Sequence, residues 1–511
     1  MDNFPRSLIQ IHYHNRTGGV REVMRLYASA FREIAGEDSL SIVVCGGQGS
    51  EEFPAAGFIY IDECDYRTYS ASDHFFRMKD LLKRRINDLL YSKDFHSPAA
   101  VLWHNMSLGK NPALSSALAE IAREWSGEGV RFYSVIHDFA EEGRVEQLRF
   151  LQVLESAGVD IMPDLYALGS PVSHLVPGSG AFEILKEAGF PVTLFPNPVE
   201  KCQFSDDAVS RNSVLKRASD VNANIDPSRP LCVYPSRIIF RKNPLEAIAL
   251  GCLILDCNLF LGIPGTSSTD PDIFRDIGEL VERYRLRVIL DAGKLITGRN
   301  RDIGNPVPLL YAASDLALST SLAEGFGYGL YEPWLYGKAV IARRPARFSY
   351  PDEMDSSFLY TRLPVFSEWI SLERFREKYR SEAAAAGMQF SDVEFKKVVI
   401  NGTIDFGILD WDTQVDILCG AAEDKSRVEA WKKLLSTKLQ GWPGLSHFDN
   451  IEGMVNRNEP VMHSVFSRER FLERFRERFS TSYPVVTVSG DYRMIGQLFY
   501  KEKNRFSVQR L

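Results

Sequence analysis

The sequence has 511 residues, 45 % hydrophobic and 25 % charged, with a formal net charge of −7 at pH 7. That length exceeds one ordinary hydrophobic core, so two or more domains are expected; the acidic balance argues against a broad nucleic-acid surface and leaves room for one local phosphate pocket. No apolar run approaches the roughly 20 residues of a membrane-spanning helix, no signal peptide opens the chain, and seven scattered cysteines fit reduced thiols in a cytoplasmic protein.

In chain order, Ser7 to His14 alternates like a strand, and Thr17-Gly18-Gly19-Val20 turns into a helix running to about Ile34. Val20, Val23, Met24, Tyr27 and Phe31 keep helical spacing. Strand, glycine pair and helix suggest a Rossmann-like first unit; a simple tight turn is the other reading of the glycines. Further strands are expected at Leu40 to Val44 and Phe58 to Ile61, the latter closed by Asp62-Glu63-Cys64-Asp65. A polar helix is expected from Ala71 to Leu90, with Lys83, Arg84 and Arg85 as a solvated face. Ala99 to Trp103 reads as a strand ending in His104-Asn105, with a loop from Met106 to Pro112, and Val130 to Ile136 as another ending in His137-Asp138. Polar residues just past strand C-termini are where open α/β sheets bind ligands, so His104 and His137 are expected on one rim; either histidine could equally be structural. Glu141, Glu142 and Arg144 follow and either face a substrate or begin a helix, where acidic residues suit the dipole. Ile161 to Leu168 and Val192 to Phe195 are read as two later strands. Pro196-Asn197-Pro198-Val199 follows, and the polar stretch from Glu200 to Arg229 reads as a linker.

The second half opens on a strand, Leu231 to Pro235, followed by Ser236-Arg237 and Arg241-Lys242-Asn243-Pro244. Cys257 to Ile263 is the next strand, with Gly262, Pro264 and Gly265 at its end; Arg287 to Leu290 follows, then a short helix from Pro308 to Ala313. Cys252 and Cys257 have no matching second pair and read as buried thiols, not a zinc site. The chain is organised around Ser319 to Arg343: the end of a buried strand (Asp315 to Ser319), a loop, a helix and a second buried strand (Lys338 to Ala342). Gly325, Gly327 and Gly329 are expected to let the backbone approach a ligand and adopt positive φ. The helix after them is expected to aim free N–H groups at an anion, with Pro333 about one turn inside it. Two carboxylates, Glu324 and Glu332, are separated by seven residues.

Acidic-Gly-Phe-Gly, then Glu332, then an apolar strand resembles the Glu-x7-Glu motif of retaining glycosyltransferases with two Rossmann-like domains (the GT-B fold), in particular family 4 (glycosyl transferases group 1). The resemblance implies an α/β protein whose two Rossmann-like domains face each other across a cleft, with an extended helical C-terminal part. Residues 1–200 would form the acceptor domain, completed by the tail 483–511; 201–230 the linker; 231–482 the nucleotide-sugar domain, with accessory helices at about 354–453 over the cleft or at a homo-oligomer interface. Arg468 to Arg478, amphipathic through Phe471, Leu472 and Phe475, has its charges as a solvated face.

The implied reaction moves a hexose from a UDP- or GDP-hexose to a hydroxyl of a soluble sugar or glycan, retaining anomeric configuration, with no metal and no cofactor beyond the donor. By resemblance, Gly18 and Gly19 bring backbone close to the donor phosphate, and Arg237 and Lys242 neutralise the diphosphate, fixed cations being effective where charge develops. Arg241 is a second candidate for that role. Glu324 with Gly325, Phe326 and Gly327 would hold the sugar, Glu332 the ribose hydroxyls, and His137 the transferred sugar; His104, Asp138 and Arg144 would face the acceptor. Tyr328 and Tyr331-Glu332-Pro333-Trp334 replace the smaller residues usual in the motif, an expected reshaping of the donor pocket. A glycoside hydrolase needs carboxyls on either side of the bond, whereas Glu324 and Glu332 share one loop-helix unit. A disaccharide phosphorylase on the same fold and a non-catalytic nucleotide-sugar-binding protein remain open; the absence of a membrane-binding helix or broad basic face favours a soluble acceptor over a lipid.

Overall fold

A computed structural model describes residues 4–16, 18–47, 52–92, 95–125, 129–142, 144–202, 210–264, 270–297, 305–345, 347–385, 390–480 and 486–500. The chain forms two compact units, one of Met1–Pro198 with Arg468–Lys501, the other containing Val199–Ser467. Thr17, Gly265, the 203–209 part of the expected linker and the tail segments 481–485 and 501–511 lie outside the described residues. No helix among the described residues is long and apolar enough to cross a membrane.

The first unit is built on seven parallel strands: β1 (Ser7–His14), β2 (Leu40–Gly46), β3 (Gly57–Tyr60), β4 (Ala99–His104), β5 (Val130–Val135), β6 (Val172–Val176) and β7 (Val192–Leu194), in the order β3-β2-β1-β4-β5-β6-β7. Side-chain alternation sends Ile9, Ile11, Val101, Trp103 and Phe132 into one core and Leu8, Ala100, Leu102, Tyr133 and Val135 into another. Because both faces are covered, Ser7 through Tyr13 is buried without a break, Gln10 and His12 included, so the expected polar-out alternation is absent. The strand order reverses at β1 and β4, which places a ligand crevice beyond their C-terminal ends.

Ile161 to Leu168 is not a strand. Met162–Leu165 is a helical turn carrying Pro163 in its first turn, where the missing N–H costs nothing but would interrupt a sheet. The strand is β6, V-S-H-L-V, whose apolar run is broken by the fully buried His174. The return to this unit begins at Arg468, well before Tyr483. The helix Arg468–Phe479 turns Phe471, Phe475 and Phe479 onto one face, where they pack with Tyr27, Tyr133 and Phe195. Val488 then exchanges backbone hydrogen bonds with Gly169 and Ser170 (3.0 and 2.9 Å), and Ile495 and Leu498 of the helix Tyr492–Tyr500 enter the core.

The second unit has six parallel strands: β8 (Leu231–Ile238), β9 (Asn258–Pro264), β10 (Val288–Ile289), β11 (Leu316–Ser319), β12 (Ala339–Arg343) and β13 (Leu359–Tyr360), ordered β10-β9-β8-β11-β12-β13. An antiparallel pair follows, β14 (Pro364–Phe366) with β15 (Thr403–Asp405). The expected linker contains a helix, Arg211–Val221, capped by the Ser210 hydroxyl accepting from Ser213 N. Its Val214, Leu215 and Ala218 join the core formed by Leu231, Phe260, Leu310 and Trp334; three buried side chains anchor a segment whose average composition is polar. The region 354–453 carries β13 to β15 as well as the helices Leu372–Ala385, Trp411–Glu423 and Lys425–Leu435.

Phe475 is fully buried, with ring centroids 4.2–6.4 Å from Phe4, Tyr27, Phe195, Phe471 and Phe479. Phe475→Ala should lower the unfolding free energy by about 3–5 kcal/mol, seen as a lower urea midpoint; a loss below about 1 kcal/mol would mean that this helix does not anchor the first unit.

Candidate active site

In the second unit the expected cations stand on the loop leaving β8. The register of β8 against β9 shifts between Tyr234 and Arg237, and Gly262 accommodates the shift: a Cβ there would lie 2.9 Å from the Pro235 carbonyl. The helical turn Phe240–Lys242 follows and ends at Asn243, held at φ 56°. Polar contacts fix this turn from several sides. The Lys242 carbonyl accepts from Tyr234 Oη (2.5 Å) and Thr320 Oγ1 (3.1 Å), and Leu322 N donates to the Arg241 carbonyl (3.0 Å). Asn243 Nδ2 donates to Glu246 Oε2 (2.7 Å) and Gln414 Nε2 to Asn243 Oδ1 (3.2 Å).

The loop is thereby stitched to the one following β11, and Lys242 Nζ meets Glu324 Oε1 at 2.5 Å, both side chains 11 % exposed. Burial lowers the Lys242 ammonium; Glu324 opposes that fall while Arg241 and Arg237 add to it. Burial also works against the Glu324 carboxylate, but the Lys242 charge and hydrogen bond carry it below its ordinary value. Lys242 and Arg241 thus act on one buried carboxylate, and Arg237 on the Lys242 ammonium. Burial, then the charge of Glu332 and more weakly that of Glu324, raises the Tyr311 hydroxyl, so the two motif carboxylates share a neighbour.

The motif differs from expectation in three ways. Gly327 is the glycine of the three with positive φ (89°). Two short pieces, Tyr328–Leu330 and Glu332–Leu335, replace one helix, with Pro333 in the first turn; no extended helix aims its N-terminus at an anion. The large residues turn inward: Phe326, 6 % exposed, stacks on Tyr331 at 4.9 Å, and Trp334 is fully buried with Nε1 donating to the Leu330 carbonyl (3.0 Å). The Phe326 ring is therefore spent on packing, and Tyr331 and Trp334 fill the core where a reshaped pocket was expected.

In the first unit His137 follows β5 and is 9 % exposed, whereas His104 is fully buried behind it. Gln10 Nε2 donates to the Met24 carbonyl (2.9 Å), so its Oε1 accepts from His104 Nε2–H (3.0 Å), and His104 Nδ1 accepts from His137 Nε2–H (3.4 Å). Burial pushes His137 down to about 4 and His104 well below its ordinary value, so both are neutral at pH 7. His104 cannot touch an acceptor; it orients His137. Asn105, left-handed at φ 67°, accepts from His137 N and Asp138 N (3.3 and 2.9 Å) and donates to Asp138 Oδ2 (3.2 Å). Asp138 pairs with Arg144 at 3.1 Å. Gly18 and Gly19 are exposed, with nothing within 4 Å of the position of a Cβ. Glu141 leaves the rim for the core, where Oε2 accepts from Tyr166 Oη (2.8 Å). Gln10 and Asn105 escaped the sequence reading as positioning residues, although a glutamine in the middle of a buried apolar strand was the available signal.

With this geometry in hand, the chain can be set beside known proteins. No protein-family model matches it. Its fold resembles solved structures of a glycosyltransferase from Rickettsia africae ESF-5 (TM-score 0.52, 12 % identity, 94 % of this chain and 98 % of that one). It also resembles sucrose-phosphate synthase from Thermosynechococcus elongatus (TM-score 0.51, 12 % identity, 93 % and 98 %). The chain has the GT-B glycosyltransferase fold of two Rossmann-like domains. In sequence it is similar to mannosylglucosyl-3-phosphoglycerate synthase of Petrotoga mobilis, 24 % identical over 422 residues, 79 % of this chain and 78 % of that protein.

Burial raises the Glu141 carboxyl to about 7 against the Tyr166 hydrogen bond. A carboxyl raised on folding contributes stability that is full below its unfolded value and is lost as pH rises through the folded one; the buried histidines act oppositely, losing theirs as pH falls below about 6.5. Glu141→Gln removes the first effect alone. Relative to the parent, the variant should gain up to about 3 kcal/mol between pH 5 and pH 8, measured by urea unfolding at each pH. A difference that does not change with pH would refute the burial of an ionisable Glu141.

Proposed function

We propose that the chain is a glycosyltransferase of the family 4 kind, transferring a hexose from a UDP- or GDP-hexose to a hydroxyl of a soluble sugar or glycan with retention of configuration. The observation that carries this reading is the buried Lys242–Glu324 pair, placed by two stitched loops and within the field of Arg237 and Arg241. A relative named for making a mannosylglucosyl-phosphoglycerate supports it.

In the proposed reaction the bond from the sugar's anomeric carbon to the diphosphate oxygen breaks, and the diphosphate leaves with the electron pair. Arg237 and Lys242 stabilise that developing charge from fixed positions, which is where preorganised cations contribute most; with their charge in place the reaction calls for no metal. Glu324 and the backbone of Gly325 to Gly327 hold the hexose, and Glu332 the ribose hydroxyls. The acceptor hydroxyl attacks the face the diphosphate has left, and its proton passes to the departing phosphate oxygen, so no protein carboxylate base is needed. In the first unit, neutral His137, its Nε2–H given to His104, presents Nδ1 as an acceptor for a sugar hydroxyl without adding charge.

Acceptor-dependent release of nucleoside diphosphate from a panel of UDP-, GDP- and ADP-sugars tests the reading and names the donor. Release of inorganic phosphate from a sugar 1-phosphate instead would make the protein a phosphorylase. Lys242→Ala and Glu324→Ala should each lower kcat/KM by about 10²–10³-fold while far-UV circular dichroism stays that of the parent, with Glu324→Gln as the isosteric control. Near-parental rates in both alanine variants would overturn the site assignment.

A further inference from the structure

Beyond the donor residues, the first unit carries a second concentration of charge. A cavity of about 460 Å³ is lined by Arg16, Gly47, Asp62, Asp65, Tyr66 and Arg67, a size suited to a small organic ligand. Its walls come from the loops beyond the C-terminal ends of β1, β2 and β3, and the loop after β4 adjoins them: Arg67 N donates to the Lys110 carbonyl (3.0 Å). Gly46 is what lets these loops close up, since a Cβ there would lie 2.3 Å from Asp65 N. At the centre stands Tyr66, 44 % exposed. Arg16 Cζ is 5.7 Å and Lys110 Nζ 5.8 Å from its ring centroid, and the His14 ring abuts it at 4.9 Å.

The lining itself balances two arginines against Asp62 and Asp65, and Lys110, beside Tyr66, adds a further positive charge. Arg16 pairs with Asp65 and Arg144 with Asp138. Lys110 and Arg67 have no carboxylate partner among the described residues. Lys110 is half-buried; burial and then Arg144 oppose its charge, with Glu146 the weaker compensation. Cations withdrawn from water beside other cations are costly unless an anion joins them, and the face of an exposed tyrosine is a platform for a sugar or a flat acid.

We propose that Arg16, Arg67 and Lys110 around Tyr66 form the subsite for an acidic group on the acceptor, a carboxylate or a phosphate, so that the acceptor is a small sugar acid or sugar phosphate and not a neutral glycan. This rests on the transferase reading for the word acceptor; the anion site itself does not.

Calorimetric titration of the intact protein without donor tests it, with 3-phosphoglycerate, inorganic phosphate, glycerate and glucose as probes and UDP and GDP titrated separately. The acids should bind and glucose should not at the same concentration; phosphate against glycerate tells which anion the site takes. Lys110→Met and Arg67→Gln should each weaken acid binding about tenfold or more, Lys110→Arg should largely restore it, and nucleoside diphosphate binding, assigned to the second unit, should not change. Acid binding that is absent, unaltered in both variants, or matched by glucose would overturn the inference. Acid binding as expected, with no transfer from any nucleotide sugar, would remove the transferase reading and leave the anion site standing.

Discussion

The buried guanidinium of Arg343 is the constraint on which the second unit depends. It lies at the end of β12 and donates to both Glu246 oxygens (2.7 and 2.6 Å) and to both Asp405 oxygens (2.8 and 2.9 Å), all three side chains being almost entirely out of water. Tyr360 Oη and Asn243 Nδ2 complete the shell around Glu246. Removing one member of such a cluster strands the others without compensation, which is why buried charges persist as sets. Here the set has a positional consequence. Glu246 stands one turn beyond Lys242, so Arg343 clamps the base of the cation loop, while Asp405 ties that loop to β15. The region 354–453, expected as an accessory addition, supplies part of the frame that holds Lys242 still.

At His137 the first unit meets a comparable demand with neutral groups. Its rim is ordered by a chain of neutral hydrogen bonds running from the Met24 carbonyl through Gln10 and His104 to His137. Each link fixes the proton of the next, so the orientation of the His137 imidazole at the rim is set by an amide buried in the middle of β1. Asn105 does the same for the backbone around Asp138 from its left-handed position. The Arg343 cluster thus holds its members with paired full charges, and the His104–His137 chain with a proton order in a buried, low-dielectric setting.

Local patterns in the sequence made the parallel strands and the Arg237, Lys242 and Glu324 constellation readable, because each lies within a few residues of a strand end and its chemistry is carried by side-chain type. Features that depend on distant partners were not readable. Arg211–Val221 looked like a linker because only three of its residues are buried; β6 was hidden by His174, whose burial needs a surrounding fold to make sense; Ile161 to Leu168 looked like a strand until Pro163 found a helical first turn. Phe326 looked like a ligand contact and Trp334 like a residue shaping a pocket because a one-dimensional motif says nothing about which way a ring turns. His104 and His137, alike in sequence context, differ only in which is behind the other.

The helix Arg468–Phe479 closes the first unit from the far end of the polypeptide. On the ribosome, the face formed by Tyr27, Phe31, Tyr133 and Phe195 therefore emerges long before Phe471, Phe475 and Phe479 exist to cover it. At ordinary elongation rates that interval lasts some tens of seconds, during which the whole of Val199–Ser467 is made and can fold as a continuous segment. The nascent protein passes through a stage with the second unit made and the first unsealed, an aromatic surface exposed to chaperones or to other nascent chains, and the helix Arg468–Phe479 acts as the seal.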